Sequence, residues 1–141
     1  MSTSLDDLRN RGLIEVVEPD KATATGWLDD AGRHLEAATT IAELDPSGAY
    51  VLAYDAARKS IAAALLMAGY RVLSRPGSHQ ALAQYAESIA IQVDEAALNR
   101  FDRLRRNRNR SEYGSRTFGE AEVTEAIDTA RATRAACASL I

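Results

Sequence analysis

Apolar side chains along this chain recur every three or four positions, the period of a helix with one buried face. Leu28, Ala31, Leu35, Ala38 and Ala42 form such a stripe, widened by Trp27 and Ile41, and predict a helix over about 20–44. Tyr50, Tyr54, Ala57, Ile61, Leu65 and Ala68 predict another over about 49–69, and Leu82, Tyr85, Ala86 and Ile89 one over about 78–91. Leu98, Phe101 and Leu104 mark a helix over about 94–110, which Asp94 caps after a break at Val93. Val123, Ile127, Ala130 and Cys137 mark the last, over about 119–140. A short first helix covers 4–14, with Ser4 as cap and Gly12 as stop. Glu18-Pro19-Asp20, Asp45-Pro46-Ser47-Gly48 and Arg75-Pro76-Gly77-Ser78 read as breaks and turns, and Gly114 and Gly119 bracket a short connection. The expected fold is all-α: an antiparallel bundle of four to five long helices without a β-sheet. It forms one domain over 1–141, in which 1–18 is a short helix and lead-in.

Composition strengthens the helical reading. Alanine, the best helix former, supplies 27 of 141 residues, and there are only three prolines. A single cysteine, Cys137, excludes an internal disulfide and a cysteine-based zinc site, and lies on an apolar stripe as an inert core thiol. With only His34 and His79 as histidines, no metal and no cofactor are expected. No signal pattern opens the chain, and no stretch is long and apolar enough to span a membrane, so a cytoplasmic protein is expected.

Charge changes the picture more. The chain carries −3 overall, yet residues 100–116 hold seven arginines against Asp102 and Glu112, a local +5 opposed by −8 on the rest. Within this block Arg105 and Arg108 continue the inward stripe of Phe101. An inward arginine is costly unless it meets a partner or a cleft, and its planar fork suits phosphate. The opposing reading is a solvated basic helix end, stabilised by the helix dipole.

The run Arg103-Leu104-Arg105-Arg106-Asn107-Arg108-Asn109-Arg110-Ser111-Glu112-Tyr113-Gly114, on a helical chain, resembles the HEPN domains. These are helical bundles of prokaryotic toxin–antitoxin and defence systems, often encoded beside a minimal nucleotidyltransferase. Ala53-Tyr54-Asp55-Ala56-Ala57-Arg58-Lys59-Ser60, ending in Gly69-Tyr70-Arg71, looks like the second long helix of such proteins. Their signature is Arg, a polar residue that is often Asn, three to five variable residues, then His. Two registers fit. In the preferred one Arg108-Asn109 is the pair and Tyr113 takes the His position; in the other Arg106-Asn107 is the pair and Ser111 takes it. The resemblance implies a metal-independent ribonuclease in which Arg holds phosphate and His moves the proton. Here the histidine is absent, and a tyrosine with pKa ~10 is a poor base near neutrality. Phosphate binding needs only the Arg and Asn. Arg105, Arg106, Asn107, Arg108, Arg110 and Ser111 are therefore the expected RNA- or phosphate-binding residues, with Arg108, Asn109 and Tyr113 catalytic if the chain is active. The resemblance also implies a homodimer and a nucleotidyltransferase partner. An active endoribonuclease toxin, or a module docking an acidic partner, are the alternatives.

Three further groups bear on the site. His79 opens a helix and reads as structural, since no nucleophile elbow accompanies Ser78. His34 reads as a surface or pair-forming histidine that could replace the missing acid–base group if the fold brought it near Arg108. Asp55, Arg58 and Lys59 read as ion pairs bridging helices, or else as lining the same cleft as Arg108.

Overall fold

The computed structural model describes residues 5–93, 100–113 and 118–141, and side chains over 5–86, 100–108 and 118–141. Six helices lie among the described residues: α1 (Leu5–Asn10), α2 (Lys21–Ile41), α3 (Pro46–Met67), α4 (Ser78–Val93), α5 (Phe101–Tyr113) and α6 (Glu120–Ala138). The helical expectation holds. Strand β1 (Ile14–Val16) and strand β2 (Tyr70–Val72) add a small ladder that the absence of a β-sheet had excluded.

The ladder is antiparallel, with Ile14 opposite Val72, Glu15 opposite Arg71 and Val16 opposite Tyr70. Glu15 and Arg71 form a cross-strand ion pair. Helical periodicity could not reveal a strand three residues long whose partner lies 56 positions away. Glycine makes the ladder possible at both ends. Gly12, at φ +72°, stops α1 as expected and turns the chain into β1. Gly69, at φ +94°, reverses the chain from α3 into β2, and its carbonyl accepts the Val17 N–H at 2.9 Å.

Local chemistry sets the helix starts. The Asp20 carboxylate accepts the Thr23 N–H at 3.1 Å and caps α2. The Asp45 carboxylate does the same for Gly48 at 3.0 Å, and Pro46 occupies the first turn of α3. The residues read as a turn, Asp45 to Gly48, are thus the cap and first turn of the helix. The C-terminal end of the stripe also needs correcting: Ala68 is exposed at the cap of α3. The described part of the fifth helix starts at Phe101 and runs on to Tyr113. Ser4, Val93's side chain, Asp94, Leu98 and Gly114 lie outside what is described.

Helix α3 is the centre of the molecule. It buries residues on most of its circumference, including Tyr50, Tyr54, Ile61 and Leu65. Helix α2 runs antiparallel along it: residues 24 and 28 meet 63 and 66 in one cluster, while His34 meets Lys59. Alanines at 31, 38, 53, 56, 57 and 64 are buried, and small side chains let the backbones approach closely. Phe118 stacks on Tyr50 with ring centroids 3.9 Å apart and closes the bottom of α6 against α3. No helix among the described residues is long and apolar enough to cross a membrane.

Candidate functional site

Three elements meet at one corner of the bundle. Tyr54 and Arg58 lie four residues apart on α3, hence on one face. Phe101, Arg105 and Arg108 are likewise stacked along one face of α5, and His79 stands in the first turn of α4. Phe101 is fully buried and anchors α5. Its ring stacks on Tyr54 with centroids 5.4 Å apart and planes within 10°. At the hydroxyl edge of Tyr54 lies the imidazole of His79, its centroid 5.9 Å away and its plane within 13° of the phenol ring.

The Arg108 guanidinium lies 5.4 Å from the Tyr54 ring centroid, a cation–π contact. The inward stripe inferred for the arginines is therefore real for two of them: Arg105 and Arg108 are half-buried, whereas Arg103 and Arg106 are exposed. Carboxylates answer part of the charge. Arg105 Nε donates to Asp102 at 2.8 Å, Arg106 Nε lies 3.2 Å from the other oxygen of Asp102, and Arg58 Nε reaches Asp55 at 3.5 Å.

The Tyr54 hydroxyl hydrogen-bonds His79 Nδ1. Burial pushes the Tyr54 phenol up to about 12, so it stays protonated through the neutral range. Burial also holds His79 below the ordinary histidine value, and the cations of Arg58, Arg108 and Arg105 act in the same direction against the opposing Asp55. His79 is thus neutral near pH 7. With Nδ1 engaged, Nε2 is the nitrogen open to a ligand: a donor when Tyr54 donates, an acceptor when Nδ1 does.

Asn107 faces elsewhere. It lines a cleft against α6 with Arg100, Arg103, Glu122 and Glu125, because a one-residue step on a helix turns a side chain by about 100°. The side chains of Asn109, Arg110, Ser111 and Tyr113 lie outside the described residues.

The other histidine is differently placed. Lys59 Nζ donates to His34 Nε2 at 3.0 Å and lies 3.6 Å from Asp30. His34 therefore occupies the pair-forming role expected of it, and contacts α3 rather than Arg108. The trio Asp55, Arg58 and Lys59 divides: Lys59 bridges α3 to α2, while Arg58 joins the arginine corner. The sequence reading took His79 as structural and did not place it beside Tyr54; nothing in the spacing ties the two, 25 residues apart.

Among the described residues, no group of three or more His, Cys, Asp or Glu could hold a metal. Three guanidinium groups around a neutral imidazole, on an aromatic ledge, suit a phosphate instead. Cys137 is buried, and its thiol is pushed up to about 12 by burial, so it is inert.

The family model described as HEPN domain matches residues 24–140, most of the chain. Comparison with curated proteins and with solved structures gives no match.

Proposed function

Because the chain belongs to the HEPN domain family, we propose that it binds RNA or a nucleotide through phosphate, held at the corner of Arg58, Arg105 and Arg108. The observation that carries this reading is the position of Arg108 over Tyr54, with His79 bonded to the same phenol. Arginine grips phosphate bidentately, and the ledge holds the side chain ready before the ligand arrives. Asn109, Arg110 and Ser111 are expected to share in binding from their place in the sequence motif, and Arg106 adds an exposed cation. The test is binding of labelled RNA across a salt series. Affinity should fall steeply with salt, as counterion release requires, and Arg108→Ala should weaken it. Binding that is indifferent to both salt and Arg108→Ala would overturn the reading.

One observation favours a second reading, a metal-independent endoribonuclease. The family histidine is replaced at Tyr113 or Ser111, yet His79 stands beside the arginines from another helix. In this reaction the 2′-hydroxyl attacks phosphorus, the bond to the 5′-oxygen breaks, and the proton passes from the 2′-oxygen to the leaving oxygen. His79 Nε2 would take or give that proton, and Arg108 would hold the charge that develops on phosphate. Pure protein incubated with labelled RNA in EDTA tests it: cleavage abolished by His79→Gln supports the enzyme, and intact RNA excludes it.

Family membership also supports a homodimer whose 105–113 segments face one another, and a nucleotidyltransferase partner of a toxin–antitoxin kind. Facing arginines repel by up to ~4 kcal/mol per pair at ~4 Å, with an effective dielectric of about 20. An anion in the groove should then stabilise the pair. Sedimentation with and without phosphate checks this: a monomer under both conditions removes the shared groove.

A further inference from the structure

Beside the arginine corner lies a cavity of about 300 Å³, bordered by α2, α3, β2 and the start of α4. Its size is that of a site for one small molecule or one ring. The lining is graded. Leu65 and Leu82 are buried and apolar, Trp27 and Tyr70 are half-buried, and His79 and Arg71 are exposed. Among the described residues no carboxylate lines it. Arg58 and His79 line this cavity and also belong to the group around Tyr54. The cavity and the cationic corner are therefore contiguous, sharing those two side chains.

We propose that this cavity is a nucleobase pocket: it takes one unpaired base, stacked on Trp27 and Tyr70, while the attached phosphate rests on Arg58 and the neighbouring arginines. The phosphate half rests on the function proposed above; the base half does not. An inorganic anion would leave the Leu65 and Leu82 surface wet, and an aliphatic ligand would leave Arg58 and His79 unused. A flat aromatic ring joined to an anion satisfies both ends. A base already paired in a duplex has its faces stacked on its neighbours, so the pocket selects a free nucleotide or a single strand.

Trp27 is the only tryptophan of the chain, so its fluorescence reports the pocket directly. The full-length protein is titrated with uridine and adenosine, with their 5′-monophosphates, with a single-stranded RNA oligomer, with ribose 5-phosphate, and with an abasic ribose-phosphate strand of the oligomer's length. Quenching of Trp27 is expected with every ligand that carries a base, and not with the two that lack one. Tyr70→Leu should weaken RNA binding about tenfold, as loss of one stacked base does, and leave the abasic strand unaffected. Because Tyr70 also lies in the ladder, Ser74→Phe, at an exposed position of the lining, is a second variant expected to block the pocket. Quenching by mononucleotides as strong as by the oligomer identifies a free nucleotide; quenching that strengthens with the strand identifies single-stranded RNA. If the abasic strand binds as tightly as RNA and Trp27 stays silent, the pocket is overturned while the phosphate reading stands. If nucleosides quench Trp27 but the abasic strand does not bind, the pocket stands and the phosphate reading falls. Silence of Trp27 together with no binding of RNA or of the abasic strand overturns both.

Discussion

The two histidines dock on different flanks of α3, each 25 residues from its partner. Burial depresses both, yet their surroundings differ. Around His34 the charges nearly balance: Lys59 and Arg33 are set against Asp55 and Asp30. Around His79 the cations of Arg58, Arg108 and Arg105 act against Asp55, while Asp102 pairs with Arg105. One flank is a closed ion-pair network joining two helices. The other is an excess of positive charge on an aromatic ledge, which makes sense for a surface that receives an anion. The step from one to the other is the single position from Arg58 to Lys59, since neighbours on a helix never share a face.

Removing the ledge should have the largest effect. Phe101 is fully buried and supports Tyr54, so Phe101→Ala should cost roughly 3–5 kcal/mol in urea unfolding and also impair RNA binding. Ile61→Ala and Leu35→Ala, buried away from the corner, should cost about 2–5 kcal/mol and leave the binding of the folded fraction intact. A cost under about 0.5 kcal/mol at all three would mean that these faces are not core.

The next effect separates the flanks by binding alone. Arg108→Ala should lower RNA affinity about tenfold and reduce the salt slope by about one. Lys59→Ala should change neither, because its charge is committed to Asp30 and His34. Equal losses from both variants would erase the distinction between the flanks.

A pH series sharpens the comparison. A histidine held below 6.5 in the folded state binds fewer protons there than in the unfolded chain. Stability is therefore unaffected by these groups above pH 6.5 and falls as pH drops below it. His34→Gln and His79→Gln should each flatten part of that fall, measured by melting temperature. A bound phosphate favours the charged imidazole of His79 only, so RNA affinity should rise as pH falls below the ordinary histidine range. His79→Gln should abolish that rise and His34→Gln should leave it. Identical pH profiles for the two variants would place the phosphate elsewhere.

The smallest effect concerns the closed network. Asp30 and Lys59 are partly exposed, so a double-mutant cycle between them should yield about 0.2–1 kcal/mol. A coupling of several kcal/mol would show a far drier interface than the exposure of these side chains allows.

Periodicity made most of the helices legible because each stripe is written within one segment. Leu28, Ala31, Leu35 and Ala38 are buried as their spacing requires, and so are Tyr50, Tyr54, Ala57, Ile61 and Leu65. The arginine block was legible too, as was the inward turn of Arg105 and Arg108, since both follow Phe101 at helical spacing. The β1–β2 ladder was not, because three residues carry no period and their partners are distant in sequence. Nor was the start of α3, where Pro46 and Gly48 suggest a turn but Asp45 caps a helix.

The sequence by itself thus determined the helices, their buried faces and the cationic segment, all of which follow from local spacing and charge. Only the tertiary structure decided which α3 face those arginines meet, and that His79 rather than His34 stands with them. It also decided that Trp27 and Tyr70, 43 positions apart, line one cavity with Arg58. The physical reason is that contacts between distant segments are fixed by how helices pack on α3, and no residue's own neighbours in the chain encode that choice.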